Sequence, residues 1–312
     1  MGTNCWLSIR YKLLKNLIKP VKNWGTLVYE DDFKSSKIDY TIIEDYMYNG
    51  NSYMSKDCVV RQNDGLHLKT IKLDPPEHRK HWSGEFDCYW KCGWVEYHNE
   101  FTGVYGTWEF KVELPNVGSF PAIWFLREPY CPKELRYKCN VSRVNGDIIY
   151  IKSPSQIPMI NWHVFDKNSV FLGKIDDYNE DDGYILLDRK ITSKIDEIII
   201  GIESIKPEVD LMEIIPNGLI KQSIHYGYDY NEYHKYSEST TLDKVAPKKE
   251  YTFAVRMLPN KYEFYIDGIK TGEFNVGLSI YKPYLILNSG ATNGITNGNI
   301  NDFIIKSIKY YK

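Results

Sequence analysis

Between Pro207 and Pro216 the chain reads Glu208-Val209-Asp210-Leu211-Met212-Glu213-Ile214-Ile215, three carboxylates spaced through an otherwise apolar run. On a strand, Glu208 and Asp210 point to one face and Val209 and Leu211 to the other. Strict alternation would send Glu213 to the apolar side. A β-bulge, one extra residue within Leu211-Met212, returns Glu213 to the side of the other two and keeps the apolar residues for a core. Three carboxylates so placed repel one another, and the repulsion has a use. The charge of one raises the pKa of its neighbour, which keeps a carboxylic acid protonated near neutral pH beside an ionised one. One group can then donate a proton while another attacks. With 41 Asp and Glu in 312 residues, acidic residues at i, i+2 and i+5 arise by chance about 0.7 times. The weight of the triplet therefore lies in the apolar strand that carries it and in its company along the chain.

A second cluster has metal-binding chemistry. His78, His81, Cys88 and Cys92 supply imidazole and thiolate groups within fifteen positions, a ligand set zinc accepts. The spacing is loose, however, and Cys88 and Cys92 fall in an aromatic stretch, 86–94, that reads as buried or half-buried strand, where thiols serve as small hydrophobes. No metal is assigned. Cys131 and Cys139 would either close a small disulfide loop or remain free thiols. With Cys5 and Cys58 the chain has six cysteines, too few for a disulfide scaffold at this length.

The elements that must position these groups are strands. Strand patterns cover 59–62, 66–72, 107–114, 122–126, 251–257, 262–266, 284–287 and 303–310. Most are bounded by turn chemistry such as Asn63-Asp64-Gly65, Pro115-Asn116, Pro259-Asn260 and Asp267-Gly268. Composition points the same way: 26 Tyr, 12 Phe and 8 Trp favour pleated surfaces, and alanine, the best helix former, occurs only at 122, 246, 254 and 291. An all-β chain of short strands favours a sandwich or jelly roll over alternating β and α units. The net charge of −2 provides no global field for nucleic acid or an anionic membrane. No apolar stretch approaches the roughly 18 residues of a membrane span.

In order along the chain these segments resemble glycoside hydrolase family 16, the laminarinase, agarase and carrageenase group. Glu208-Val209-Asp210-Leu211-Met212-Glu213 is similar to the family signature in its bulged form. Gly103 to Val112 and Gly118 to Leu126 resemble the paired strands on its N-terminal side. Ser223-Ile224-His225-Tyr226-Gly227, Tyr251 to Val255, Phe264 to Gly268 and Leu285 to Asn288 resemble the family's strands on its C-terminal side, and Tyr29 to Phe33 and Asp302 to Tyr310 the opening and closing strands. The resemblance implies an all-β jelly-roll β-sandwich of two curved antiparallel sheets and an endo-acting, retaining hydrolase of a β-linked polysaccharide, β-1,3-glucan or galactan-like. By the same resemblance Glu208 is the nucleophile, Glu213 the acid/base and Asp210 the assisting carboxylate. Sugar rings present apolar C–H faces, so an aromatic platform is expected. Trp124 is the first candidate, with Trp108 and Trp94 weaker, while His225 and Asn288 are candidates for hydrogen bonding to substrate. The chemistry requires no cofactor, and a structural calcium, which the family often carries, would draw on Asp32 and Asp302 here.

Two departures stand out. The 80 residues 127–206 exceed what the family usually places there and contain strand-like runs, so they read as a β-rich insertion into a jelly-roll domain of residues 24–312. Arg256-Met257 stand where the family commonly has an acidic residue and Trp. Residues 1–23 form a basic, amphipathic N-terminal arm without an apolar core followed by a small-residue cleavage site. The arm and the insertion are the expected contacts for a larger assembly, such as a virion. Action on polysaccharide would place the protein outside the cell. The competing reading is a non-catalytic carbohydrate-binding or virion- or tail-associated structural module with the same fold.

Overall fold

The computed structural model describes residues 23–312 apart from 36, 49–51, 82–83, 99–102, 104, 116–118, 128–135, 141, 145–147, 153–159, 169–170, 178–183, 189–196, 204–207, 216–217, 227–235, 245–249, 259–260, 276–281 and 292–299. Between 136 and 203 it describes the backbone, with side chains only at 166–168. The arm at 1–22 and Cys5 and Cys131 lie outside the described residues.

Two large antiparallel sheets form a jelly-roll β-sandwich. One is eight-stranded, in the order Ile269–Phe274, Lys261–Ile266, Glu250–Leu258, Gly106–Glu113, Phe303–Tyr311, Gly65–Leu68, Val59–Gln62, with Leu27–Asp31 also paired to Phe303–Tyr311. The other is seven-stranded: Thr41–Ile42, Trp94–Tyr97, Pro283–Asn288, Ala122–Arg127, Glu208–Ile214, Leu219–Tyr226, Tyr236–Lys244. Alternation builds the layer between them. Trp108, Phe110 and Val112 from the first sheet meet Ile123, Phe125, Val209 and Leu211 from the second in one buried cluster. Polar residues at the intervening positions of the seven-stranded sheet are thereby turned outward, and the acidic triplet is among them.

The segment expected as one strand at 66–72 is two. Gly65–Leu68 belongs to the eight-stranded sheet, whereas Thr70–His81 pairs with Gly84–Cys92 in a separate four-stranded sheet with Met47–Tyr48 and Ser52–Met54. The switch is at Lys69, whose N–H donates to the Cys58 carbonyl (2.8 Å) and whose own carbonyl accepts from Gly93 (3.0 Å). This small sheet covers part of the outward face of the seven-stranded one, where Met54, Trp90 and Cys92 pack with Trp94, Ile286 and Trp124.

Within the expected insertion, Arg136–Asn140, Glu197–Glu203, Ile160–Asp166 and Phe171–Asp177 form one antiparallel sheet, and Ser142–Val144, Ile148–Lys152 and Tyr184–Asp188 another. The strands that flank it pair directly, Phe125 opposite Val209. Arg256 and Met257 lie in the eight-stranded sheet, Met257 in the core and Arg256 exposed on the sheet's outer side.

Candidate active site

The bulge sits where the sequence requires it. Against Ala122–Arg127 the register runs Ala122 to Glu213, Ile123 to Met212, then Trp124 to Asp210, leaving Leu211 as the extra residue. On the other side Asp210 faces Ser223 and Glu213 faces Lys221, so Leu211 and Met212 share the single position of Gln222. Both apolar residues of the bulge are fully buried between the sheets. Glu208, Asp210 and Glu213 therefore stand on the outward face together.

The surroundings of Glu213 weaken it as an acid. Glu213 is half-buried, and its pKa is pushed up from 4.5 to about 7, first by loss of solvation and then by the Asp210 carboxylate, with Lys221 and His225 acting in the opposite direction. Asp210 is 3% exposed. Its Oδ2 lies 3.1 Å from Nε2 of His225, an ion-pair contact rather than an aligned hydrogen bond. That contact favours the imidazolium and raises the pKa of His225 against the opposing effect of burial. The Ser223 hydroxyl, across the strand from Asp210, is enclosed without a hydrogen-bond partner. Glu208, Asp210 and His225 each offer one ligand atom, all within 4.8 Å of one another, and they form the one such group among the described residues.

Trp124 stands beside Asp210 on the same face. Its indole N–H donates to Oδ1 of the buried Asn288 (2.8 Å), and its ring meets that of Trp94 edge-on with centroids 5.4 Å apart. Trp94 is only 5% exposed and donates to Glu96 Oε1 (3.0 Å), so it backs Trp124 rather than offering a face of its own. Asn288 likewise acts on Trp124.

Trp108 corrects the expectation. It is 1% exposed in the layer between the sheets, packed on Phe110, Phe125 and Tyr310. Alternation on Gly106–Glu113 turns it away from the carboxylate face, and it cannot line a surface cleft. The side chain of His81 lies outside the described residues, and among the described ones His78, Cys88 and Cys92 form no zinc grouping. His78 is on solvent-facing strand, bridging Asp87 (3.0 Å) and Glu85 (3.3 Å). Cys88 follows Asp87 and so points to the opposite face. Cys58, Cys88 and Cys92 are buried. Of the two residues named for calcium, Asp32 pairs with Lys34 (3.2 Å) and Asp302 with His67 (2.9 Å).

Gln222 has no counterpart among the expected site residues. It occupies an inward position between Ile220 and Ile224, fully buried, and its Nε2 donates to the Leu211 carbonyl (3.1 Å) while its Oε1 accepts from Thr271 Oγ1 (2.7 Å). The sequence does carry a signal for it: an amide where alternation demands an apolar side chain.

No family model matches the sequence, and no curated protein matches it. Solved structures do. The laminarinase catalytic domain of Thermotoga maritima is 15% identical with a TM-score of 0.54, covering 93% of this chain and 99% of its own. The kappa-carrageenase of Pseudoalteromonas carrageenovora is 14% identical with a TM-score of 0.53, covering 94% and 97%. SCLam, a non-specific endo-β-1,3(4)-glucanase from family GH16, is 13% identical with a TM-score of 0.54, covering 94% of both chains. At these identities the likeness is one of fold, and the fold of this chain is the jelly-roll β-sandwich found in the endo-acting β-glycanases of glycoside hydrolase family 16.

Proposed function

We propose that the protein is an endo-acting, retaining glycoside hydrolase of a β-linked polysaccharide, β-1,3-glucan or galactan-like. One observation carries this reading: Glu208, Asp210 and Glu213 share one face of a bulged strand, and Glu213 keeps its proton to about pH 7 through burial and the charge of Asp210. Double displacement needs that combination. Glu208 attacks the anomeric carbon as Glu213 protonates the departing glycosidic oxygen, giving a glycosyl ester on Glu208. Glu213, now ionised, takes a proton from water, whose oxygen displaces Glu208 and restores the starting configuration. Asp210 holds negative charge beside both glutamates, and His225 partners it from the next strand. Trp124, oriented by Asn288, offers an apolar face against which a sugar ring packs.

The neighbours in fold are by name a laminarinase, a kappa-carrageenase and an endo-β-1,3(4)-glucanase, which supports a panel of laminarin, mixed-linkage glucan, agarose and carrageenans. Reducing ends are expected to appear from one of these polymers. Glu208→Gln and Glu213→Gln are each expected to lower the rate by about 10²–10⁴-fold. Product anomers followed by NMR are expected to show retention. A polymer bound equally by wild type and both variants, with none cut, would instead identify a binding module and remove the catalytic role of the triplet.

A further inference from the structure

The bulge that turns Glu213 to the outer face leaves a structural problem on the inner one. Leu211 and Met212 together face one residue of the neighbouring strand, so the ladder cannot satisfy every backbone group there. The residue opposite is Gln222. Its side-chain amide reaches back under the bulge to the Leu211 carbonyl (3.1 Å). Its own carbonyl oxygen is held by the Thr271 hydroxyl (2.7 Å), which belongs to the Ile269–Phe274 strand at the edge of the opposite sheet. A single side chain thus ties the extra residue of one sheet to the other sheet, through a layer that is otherwise apolar on both sides of it, Ile220 and Ile224 being its inward neighbours. An amide buried there is unfavourable unless both ends are bonded, and both are.

We propose that Gln222 is a positioning residue for Glu213: it fixes the extra residue of the bulge at Leu211 and so holds the acid/base carboxyl on the face of Glu208. The consequence for turnover rests on the glycosidase reading; the positional claim does not. Sliding the bulge by one residue reverses the side on which a strand residue points, and a misplacement of about 1 Å lowers turnover by as much as about a hundredfold.

Three variants test it. Gln222→Met keeps length and burial without either hydrogen bond, Thr271→Val removes the anchor on the opposite sheet, and Ile220→Val trims the same strand outside the bulge. Gln222→Met is expected to lower kcat by about ten- to a hundredfold with KM within about twofold, and to displace the titration of the Glu213 carboxyl in carbon-detected NMR. Thr271→Val should act in the same direction by less than about tenfold, because the bond to Leu211 survives. Ile220→Val should lower thermal stability and change neither readout. A Gln222→Met protein that matches Ile220→Val in kcat and in the Glu213 titration would overturn the proposal. If Gln222→Met does not fold, an unchanged Thr271→Val in both readouts overturns it. Should the wild type cut no polymer, the hydrolase reading fails by itself, and the NMR comparison still decides the role of Gln222.

Discussion

At the scale of single residues, the acidity of Glu213 is the quantity on which most depends, and its causes can be removed one at a time. Asp210 raises it, whereas Lys221 and His225 lower it. Replacing Asp210 by Asn is therefore expected to move the alkaline limb of the kcat/KM profile to lower pH, and Lys221→Met to move it to higher pH; opposite displacements in the pH–rate profile are the check. Stability depends on the same shift. Folded Glu213 holds its proton to about pH 7, while the unfolded chain releases it near the ordinary 4.5. The native state binds more protons between those values, so stability is lost as pH rises through that window. Glu213→Gln should melt like wild type at pH 5 and higher than wild type at pH 8, by on the order of 1–3 kcal/mol in unfolding experiments. The triplet, His225 and Trp124 are legible from residue type and spacing. The role of Gln222 is not, because its partners, Leu211 and Thr271, are 11 and 49 positions away. Trp108 misleads because aromatic character alone does not distinguish a platform from a core residue.

Among elements, the bulged strand makes a prediction that separates face from length. Deleting Met212 would leave Glu208, Asp210 and Glu213 at strict alternation, still on one face. Deleting Leu211 and Met212 together would leave an odd spacing and turn Glu213 toward the core. The single deletion is expected to keep measurable reducing-end release and the double deletion to abolish it, both compared at a temperature where circular dichroism shows a folded sandwich. The position of this bulge is readable because an odd spacing between carboxylates admits only one repair. The Thr70–His81 strand is not readable beyond Lys72. Pro75 and Pro76 suggest a break, yet the ladder resumes from Glu77 opposite Cys88 after a register shift. Long-range pairing there overrides local preference, as is usual for strands. The parallel pairing of Ser52–Met54 with Gly84–Cys92 likewise leaves no local mark in sequence.

For the molecule as a whole, the pairing of Phe125 with Val209 means that the sandwich closes without help from the intervening residues. Replacing 128–207 by a short Gly-rich turn is expected to preserve a cooperative thermal transition and the near-ultraviolet signal of the buried aromatics. Loss of both would make the insertion part of the core. The sandwich itself is legible because its core strands keep strict alternation, as in Trp108, Phe110 and Val112. Leu27–Asp31 and Phe303–Tyr311 add a mechanical consequence. They run antiparallel, Thr26 and Lys312 exchange both backbone hydrogen bonds (2.7 and 2.9 Å), and both strands enter the sheet from that same corner. Tension applied between residues 26 and 312 pulls along the interstrand bonds and meets them one after another. In a force spectrometer the pair should peel open like a zipper at low load, whereas a pull between 31 and 312 would shear several bonds at once and resist more strongly.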